Sequence, residues 1–407
     1  MQQYEDRLVY IIEKFPSPTE YFILNEIIEL ERRGIKLYIL VLHKQEKYLS
    51  IPELRYLCSP IIYLPKRYYV LGLISFFYFP FLFHRISKIY FIESNRSRMK
   101  YLRDCCISFF FLHKLRNEKI KHIHAHFAYM ATDIAQILSG LLDVKYSITV
   151  HAQDIFTNNN KIRQISNNIS FIITCTKFNG NYLNNCTENK LNDKIFVVYH
   201  GIDISKWASS RQELRSIDSI INIISIARLV EKKGLIYLLK AINILLQRGT
   251  KINCRIIGEG TQRGALEDFI KQNQLADFIQ IYNFMSQGEI IEYFALADIF
   301  VLPCIVALNN DMDGLPNVIL ESMAVGVPVI ATPISAITEV IENRVTGILV
   351  EEKNEYAIAN AIVELKNNTT LLNAIERNGK VKINNEFAIE KCTDRLVEIF
   401  EHNIPLN

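Results

Sequence analysis

The stretch Gly314-Leu-Pro-Asn-Val-Ile-Leu-Glu321-Ser-Met-Ala-Val-Gly326-Val-Pro-Val-Ile-Ala-Thr332 decides the fold, because its pattern predicts a helix followed at once by a strand. Pro316 suits the first position of a helix, and Gly326 suits the residue just after its end. The apolar run 327–332 then predicts a buried strand. A strand that directly follows a helix in this way is typical of parallel sheets covered by helices.

Glu321 lies in the otherwise apolar helix of this stretch, where an unpaired charge is costly to bury. The acidic group Asp311-Met-Asp313 precedes the helix. A helix start offers free backbone N–H groups to an anion, and a carboxylate can accept hydrogen bonds from two sugar hydroxyls. The segment therefore suits a sugar phosphate. The alternative is a helix cap followed by one solvated glutamate.

Two further segments place polar groups or glycines directly after predicted strands. Arg228 follows the apolar run 220–227, and Lys233 comes shortly afterwards, before a glycine that opens the next helix. Guanidinium and ammonium groups at a strand end are placed to hold a diphosphate. The segment Cys254-Arg-Ile-Ile-Gly258-Glu-Gly260 predicts a strand that runs into a glycine turn, where backbone can approach a ligand closely.

Strand-length apolar runs alternate with helical patterns along most of the chain. The predicted strands are 8–12, 36–42, 120–124, 145–150, 171–175, 194–199, 220–227, 252–257, 278–281, 299–302, 327–331 and 347–350. The polar stretch 203–219 interrupts this pattern, so we expect two α/β lobes with parallel sheets. Ligands bind beyond the carboxyl ends of such strands. The candidate residues that follow predicted strands are His126, His151, Gly201, Arg228, Gly258 and Asp313.

Composition excludes several other classes of protein. A chain of 407 residues is too long for one typical core and predicts two or more domains. A net charge of +3 gives no indication of nucleic-acid binding. The eight cysteines are scattered, which argues against a disulfide framework or a zinc site. The same cysteine pattern favours a reducing cytoplasm, and the first residues show no basic-then-apolar signal pattern.

The chain resembles the retaining glycosyltransferase family 4, and within it the transferases of colanic-acid, exopolysaccharide and lipopolysaccharide type. The resemblance covers nearly the whole chain. The segments that carry it are Phe15-Pro-Ser-Pro-Thr-Glu20-Tyr-Phe-Ile-Leu-Asn-Glu26-Ile, His124-Ala-His126-Phe, Thr149-Val-His151-Ala-Gln-Asp154-Ile, Tyr199-His-Gly201-Ile-Asp203, Arg228-Leu-Val-Glu-Lys-Lys233-Gly234 and the acidic segment from Asp311 to Glu321.

This resemblance implies the GT-B fold, an α/β architecture of two Rossmann-like β/α/β lobes with a cleft between them. A C-terminal helix is expected to cross back to the first lobe. We expect an acceptor-binding domain over 1–203, a linker over 204–219, a nucleotide-sugar-binding domain over 220–385 and the crossover helix over 386–407.

The resemblance also implies roles for individual residues. Arg228 and Lys233 would hold the donor diphosphate, Glu321 would hold the ribose hydroxyls, and His151 would lie near the donor sugar. Asp313 stands where the family usually has the first Glu of a Glu-x7-Glu motif, and its side chain is one methylene shorter. The expected donor-binding residues are Arg228, Lys233, Gly258, Gly260, Asp313, Gly314, Leu315, Pro316, Asn317 and Glu321. The expected catalytic residues are His151, Asp313, Arg228 and Lys233, and the expected acceptor-side residues are Pro16, Thr19, Glu20 and His126.

The activity implied is transfer of a hexose from a UDP- or GDP-linked sugar to a lipid-linked glycan, in capsule, exopolysaccharide or lipopolysaccharide biosynthesis. No cofactor is expected. Asp311-Met-Asp313 has the form of a metal-binding Asp-x-Asp, but the flanking Gly-Leu-Pro and Glu321 favour a metal-independent reaction. Alternatives are a sugar-nucleotide epimerase of the same fold, and a non-catalytic nucleotide-sugar-binding component of a polysaccharide assembly complex.

Histidines and one apolar stretch leave further alternatives open. The trio His122, His124 and His126 alternates along a strand. Metal binding there is a lesser alternative, because the period is two and no carboxylate is expected nearby, and we expect His122 to be structural. The stretch 70–83 is almost wholly apolar and contains Pro80. It predicts a buried helix, or alternatively an element on the inner-membrane surface beside cationic residues.

Overall fold

The chain divides into two compact units. The computed structural model describes residues 7–17, 20–49, 51–70, 72, 97–157, 169–188, 190–207 and 220–404. The N-terminal unit comprises Met1–Cys175, Asn179–His200 and Cys392–Asn407, and the C-terminal unit comprises Thr176–Phe178 and Gly201–Lys391. Residues 208–219 of the predicted linker lie outside the described residues. The four domain bounds expected from the sequence stay a prediction.

The N-terminal unit is built on a parallel sheet of seven described strands. They are β1 (Arg7–Phe15), β2 (Lys36–Lys44), β3 (Ile61–Tyr63), β4 (Ile120–His126), β5 (Lys145–Val150), β6 (Ile169–Thr174) and β7 (Ile195–Val197). Their order is β3-β2-β1-β4-β5-β6-β7. The sequence pattern missed β3, because three partly buried residues between Pro60 and Pro65 are too few to show a period.

Helices cover both faces of this sheet. In chain order they are α1 (Tyr21–Arg32), α2 (Arg98–Leu115), α3 (Met130–Leu142), α4 (Ala152–Thr157) and α5 (Lys177–Cys186). Alternate residues of β1 face opposite cores, as a strand period of two requires. Val9 and Ile11 join the cluster formed with α2 and α3. Tyr10 and Ile12 join the cluster formed with α1.

The C-terminal unit contains a second parallel sheet, of six described strands. They are β8 (Ile220–Ile226), β9 (Lys251–Ile257), β10 (Ile279–Tyr282), β11 (Ile299–Leu302), β12 (Val329–Ala331) and β13 (Ile348–Leu349), in the order β10-β9-β8-β11-β12-β13. The described helices of this unit are α6 (Ile204–Trp207), α7 (Leu235–Gln247), α8 (Arg263–Gln272), α9 (Gln287–Ala295), α10 (Asn317–Val325), α11 (Ile337–Val340), α12 (Glu355–Asn367) and α13 (Thr369–Glu386). The last helix, α14 (Ile389–Asn403), belongs mostly to the N-terminal unit.

The last helix confirms the expected return of the chain to the first lobe. Residues from Cys392 onward belong to the N-terminal unit. Leu396, Ile399 and Phe400 of α14 are buried in the same core cluster as α1 and one face of β1. The apolar face of α14 is therefore part of the core of the N-terminal unit.

The stretch that decided the fold forms the predicted helix and strand. Helix α10 begins at Asn317. Pro316 therefore caps the helix, whereas the sequence had predicted it as the first helical residue. Gly326 ends α10 with a φ of 89°, and its N–H donates to the carbonyl oxygens of Ser322 and Met323. Strand β12 follows after two residues.

No helix among the described residues is long and apolar enough to cross a lipid bilayer. Apart from Val70 and Gly72, the apolar stretch 70–83 lies outside the described residues. Both interpretations of that stretch therefore stay predictions.

Gly234 joins a short 3-10 turn, Glu231–Lys233, to α7 at a point that leaves no room for a side chain. Its φ is +62°, and a Cβ at this position would lie 2.0 Å from the carbonyl oxygen of Pro303. An L side chain here would meet both an unfavourable backbone conformation and a backbone atom that has little freedom to move.

We therefore expect Gly234→Ala to lower the free energy of unfolding by more than about 1 kcal/mol. Urea denaturation followed by circular dichroism measures this change. Gly264→Ala in α8 is the matched control, because a Cβ there meets nothing within 4 Å and alanine favours a helix. Equal stability of the two variants would contradict the close approach of Gly234 to the Pro303 carbonyl oxygen.

Candidate active site

Two predicted donor-site segments leave the carboxyl ends of neighbouring strands in the C-terminal unit. Strands β8 and β9 pair in register up to Ile226 and Ile257. Arg228 follows the first strand after one residue, and Gly258 follows the second directly. The parallel register therefore brings the cationic segment and the glycine turn together at the edge of the sheet where such folds bind ligands.

The glycine turn packs directly on the backbone that follows β8. The Leu229 N–H donates to the Glu259 carbonyl at 2.8 Å, and the Gln262 N–H donates to the Leu229 carbonyl at 2.8 Å. A Cβ at Gly258, where φ is +150°, would lie 1.9 Å from the Ala227 carbonyl oxygen. The packing of these two segments therefore already requires glycine, independently of any ligand.

Lys233 and Asp313 form a buried ion pair. The Lys233 Nζ lies 2.5 Å from the Asp313 Oδ2. Burial alone would lower the pKa of Lys233, but the charge of Asp313 raises it above its ordinary value. Burial would likewise raise the pKa of Asp313, but Lys233 and then Lys232 lower it. Both groups therefore stay charged around neutral pH.

Lys232 is a component of the site that the sequence analysis did not assign. Its side chain is 9% exposed, and its Nζ lies 2.9 Å from the Asp311 Oδ1 and 3.5 Å from the Asp313 Oδ1. The two carboxylates of Asp311-Met-Asp313 thus have ammonium partners from the chain itself. A pair of adjacent lysines gives no sequence signal of burial, which is why Lys232 was missed.

Arg228 differs from the two lysines in its exposure. It is exposed, and within the described part of the chain no carboxylate is paired with it. Its charge nevertheless acts on both Lys233 and Asp313. Arg228 is therefore a free cation at the edge of a neutralised cluster.

Glu321 lies on α10, partly buried, and no described residue is hydrogen-bonded to or ion-paired with its carboxyl group. Burial raises the pKa of Glu321 to about 7. Near neutral pH the group is therefore poised between its ionised and neutral forms. An unpartnered carboxyl group in apolar surroundings gains by accepting hydrogen bonds from a ligand.

The predicted residues from Gly314 to Asn317 lead into α10. Gly314 and Pro316 are buried, whereas Leu315 and Asn317 are partly exposed. The helix begins at Asn317 without a side-chain cap, so its first N–H groups receive no capping bond from Pro316. This start of α10 lies a few residues after the Lys232–Asp311 and Lys233–Asp313 pairs.

In the N-terminal unit, His126 lies in a buried polar group with Glu26 and Tyr10. The His126 Nε2 lies 3.3 Å from the Glu26 Oε1, which accepts a hydrogen bond from the Tyr10 hydroxyl at 2.9 Å. Burial alone would raise the pKa of Glu26, but His126 and Tyr10 lower it. Glu26 was part of the quoted resemblance, and only the fold shows that it faces His126.

His151 follows β5 directly, as predicted, and lies among aromatic rings. Its ring centroid is 4.1 Å from that of Phe127 and 5.1 Å from that of His200. Burial lowers the pKa of His151 to about 3, so the ring is neutral at physiological pH. Neither ring nitrogen has a hydrogen-bond partner among the described residues, although Asp154 accepts the backbone N–H groups of His151 and Ala128 at 3.1 Å.

The remaining histidines of the trio are engaged by hydroxyl groups. The His122 Nε2 lies 2.7 Å from the Ser147 Oγ, as a structural histidine requires. Both nitrogens of His124 lie 2.8 Å from the hydroxyls of Ser147 and Thr149. Glu26, His124 and His126 are close enough to share an ion, so the expectation that no carboxylate lies near the trio was wrong. His124 could ligate a metal only by giving up one of its hydroxyl partners.

The acceptor-side prediction is only partly covered by the structure. Thr19 lies outside the described residues. Pro16 directly follows β1, and Glu20 precedes α1 as its N-terminal cap residue. Burial raises the pKa of Glu20 to about 7, against the opposing effect of His126. Glu20 and His126 therefore lie near each other in the N-terminal unit.

Comparison with known proteins shows which proteins this chain resembles. Residues 208–382 match the family described as glycosyl transferases group 1. The amylovoran biosynthesis glycosyltransferase AmsK of Erwinia amylovora is 34% identical over 209 residues, which is 51% of each chain. The putative colanic acid biosynthesis glycosyltransferase WcaL of Escherichia coli is 32% identical over 210 residues, again 51% of each chain. The chain thus spans about half the length of these curated relatives.

Solved structures with the same fold extend over nearly the whole chain. Anabaena HepE in complex with UDP has a TM-score of 0.72 at 14% identity and covers 97% of this chain and 100% of its own. A glycosyltransferase from Rickettsia africae has a TM-score of 0.75 at 16% identity and covers 98% of this chain and 99% of its own. The GT-B fold expected from the sequence is confirmed, and residues 208–382 are similar to the glycosyl transferases of group 1.

Proposed function

We propose that the protein is a glycosyltransferase that moves a hexose from a nucleotide sugar to a glycan acceptor of capsule, exopolysaccharide or lipopolysaccharide biosynthesis. The observation that carries the proposal is the cluster beyond β8 and β9. There, one free guanidinium, two paired lysines and a glycine turn lie within the segment that matches group 1 glycosyl transferases, and the same segment contains the unpartnered carboxyl group of Glu321 on α10. The names of AmsK, WcaL and the capsular CapM of Staphylococcus aureus support the pathway class.

Arg228 and Lys233 would hold the donor diphosphate. Arg228 has no competing carboxylate among the described residues and offers the guanidinium fork that suits phosphate oxygens. Lys233 is already paired with Asp313, and it would donate to the phosphate oxygens while keeping that ion pair. Negative charge grows on the leaving phosphate as the glycosidic bond breaks, and fixed cations in a site that excludes water stabilise it.

Asp313 would accept hydrogen bonds from hydroxyls of the donor hexose. Because its pKa is lowered by Lys233 and Lys232, it is ionised and can act as an acceptor, not as a proton donor. His151 would contact the same sugar as a neutral imidazole, since its pKa of about 3 excludes a positive charge at neutral pH. The transfer would be retaining, by departure of the diphosphate on the face that the acceptor attacks.

The donor would be UDP- or GDP-linked, and the acceptor would be lipid-linked at the inner face of the membrane. Named relatives and neighbours support both bases: a Mycobacterium tuberculosis relative is described as GDP-mannose-dependent, and Anabaena HepE has been solved with UDP-glucose. Pro16, Thr19, Glu20 and His126 would border the acceptor. The protein would then work in the cytoplasm, on the membrane surface.

The first test is turnover of UDP- and GDP-hexoses with and without a bacterial lipid extract. A glycosyltransferase consumes donor only with acceptor, an epimerase consumes donor without one, and a non-catalytic component consumes none. Arg228→Ala and Lys233→Ala should each lower turnover at least about tenfold, because a charge-assisted hydrogen bond contributes about 1.5–3 kcal/mol.

Arg248→Ala serves as the matched control, because Arg248 is an exposed arginine at the end of α7. It should keep wild-type turnover. Circular dichroism checks that all three variants are folded. Wild-type kinetics in Arg228→Ala and Lys233→Ala would contradict the diphosphate assignment.

Metal dependence gives a separate prediction. Asp311 and Asp313 already have lysine partners at 2.9 Å and 2.5 Å, so a divalent ion would have to displace an ammonium group. We expect turnover to persist in excess EDTA. Loss of activity in EDTA and its recovery with Mg²⁺ or Mn²⁺ would show that the metal-independent mechanism is wrong.

Glu321→Gln and Asp313→Asn should separate binding of the nucleoside ribose from binding of the donor hexose. Glutamine keeps the shape but only one acceptor oxygen, so we expect about tenfold weaker binding of the bare nucleoside diphosphate. Asp313→Asn should leave that affinity within about twofold and lower turnover, because Asp313 is assigned to the hexose. Isothermal titration calorimetry with the diphosphate alone measures both, and equal losses would reject the assignment.

The same Glu321 variant has an expected pH signature in stability. The pKa of Glu321 is raised from 4.5 to about 7 by folding, so ionisation disfavours the folded state progressively as pH rises between these values. Glu321→Gln removes this cost. Its melting temperature relative to wild type should therefore be higher at pH 8 than at pH 4.5; a difference that does not grow with pH would contradict the burial of this carboxyl group.

A further inference from the structure

Lys232 has been assigned no contact with a ligand so far, and its burial needs an explanation. It lies in the turn Glu231–Lys233, where a long cationic side chain could easily reach solvent. Instead the residue is 7% exposed. Burying an ammonium group is costly unless its partners are well placed. The partners of Lys232 therefore indicate what the residue does.

The ammonium group of Lys232 joins the two carboxylates of the acidic segment. Its Nζ lies 2.9 Å from the Asp311 Oδ1 and 3.5 Å from the Asp313 Oδ1. The other oxygen of Asp313, Oδ2, lies 2.5 Å from the Lys233 Nζ and 3.5 Å from the Cys304 Sγ. Both oxygens of Asp313 are thus held from fixed directions.

The backbone around this cluster is fixed by bonds that do not involve the Lys232 side chain. The Ile305 N–H donates to the Lys232 carbonyl at 2.9 Å, and the Leu308 N–H donates to the Glu231 carboxylate at 3.3 Å. The Ala307 N–H donates to the Asp311 carbonyl at 2.9 Å. Loss of the Lys232 ammonium group should therefore leave the loop in place and the protein folded.

A role in stability explains the buried charge poorly. Replacing a buried ion pair by apolar groups of similar size is often neutral or stabilising, because desolvation offsets the attraction. Two buried lysines beside two aspartates are therefore a costly way to fix a loop. A precisely oriented, ionised Asp313 is a benefit that apolar side chains could not provide.

We propose that Lys232 is a positioning residue for Asp313: it holds the Oδ1 of that carboxylate toward the donor sugar, and Asp311 is the counter-charge that keeps Lys232 in place. The inference deepens the proposed function and rests on it. The Lys232–Asp311 pair would orient the Asp313 carboxylate, which is the group proposed to accept hydrogen bonds from the donor-sugar hydroxyls. Lys232 does not itself hold the diphosphate in this assignment, since two carboxylates already occupy its ammonium group.

Lys232→Met is the central test. It keeps the length of the side chain and removes its charge. We expect at least a tenfold fall in kcat with the hexose donor, while the affinity for bare nucleoside diphosphate stays within about twofold of wild type. Lys232→Arg keeps the charge and should recover most of the turnover. Lys251→Met, at an exposed lysine that begins β9, is the matched control and should behave as wild type.

Asp311 is tested by a double-mutant comparison. If Asp311 acts only through Lys232, then Lys232→Met and the double variant Lys232→Met/Asp311→Asn should have the same kcat. Additive losses would overturn the role given to Asp311. An unchanged kcat in Lys232→Met would overturn the role of Lys232. So would a loss of diphosphate affinity as large as that of Arg228→Ala, because it would mean that Lys232 binds the phosphates directly.

A readout without turnover separates this inference from the proposed function. The groups that face Asp313 are Lys233, Lys232, Arg228 and Cys304, and the two lysines lower its pKa most. Carboxyl ¹³C NMR should therefore show a higher pKa for Asp313 in Lys232→Met than in wild type. If wild type turned over no nucleotide sugar, the proposed function would fail, and this titration would still decide whether Lys232 acts on Asp313.

Discussion

The buried ammonium groups of Lys232 and Lys233 can exist only because Asp311 and Asp313 lie against them. An unpaired ammonium group at such depth would lose its proton or move out to solvent. The pairing requires the segment after β11 to fold back onto the turn after β8, and the short distance between Gly234 and Pro303 shows how closely the two backbones meet. The geometry of the candidate donor site therefore follows from charge balance at the ends of two neighbouring strands.

In the N-terminal unit, burial keeps several ionisable side chains neutral instead of pairing them as ions. There, burial lowers the pKa values of His124, His151 and His200, so that these side chains are neutral at physiological pH. Glu26 lies beside His126 and is only partly buried; its pKa is lowered, so it stays ionised. Neutral imidazoles exchange hydrogen bonds with hydroxyls, whereas fixed cations attract phosphate. Under the proposed function, the neutral imidazoles would suit sugar hydroxyls and the fixed cations would suit the donor diphosphate.

The sequence predicted the architecture well because parallel α/β sheets have a strong local signal. The predicted strands 145–150 and 299–302, for example, coincide with β5 and β11. The short strand β3 was missed because three half-buried residues carry no period. Within the site, residues at strand ends, such as Arg228 and Gly258, were predictable from order and spacing. The burial of Lys232, the pairing of Lys233 with Asp313 and the approach of Glu26 to His126 were not, because each depends on two segments that meet only in the fold.

The charge of the donor cluster has a consequence for catalysis. Arg228, Lys232 and Lys233 carry three positive charges, and Asp311 and Asp313 remove two of them. Three unpaired cations would bind a nucleoside diphosphate tightly before and after the reaction, which lowers the barrier little and slows product release. With two of them paired, the remaining attraction comes from the exposed Arg228, and the buried charges act as fixed dipoles. Under the proposed function, the lysines that Asp311 and Asp313 hold in place are cations of fixed position, and such fixed charges stabilise the charge that develops on a leaving group.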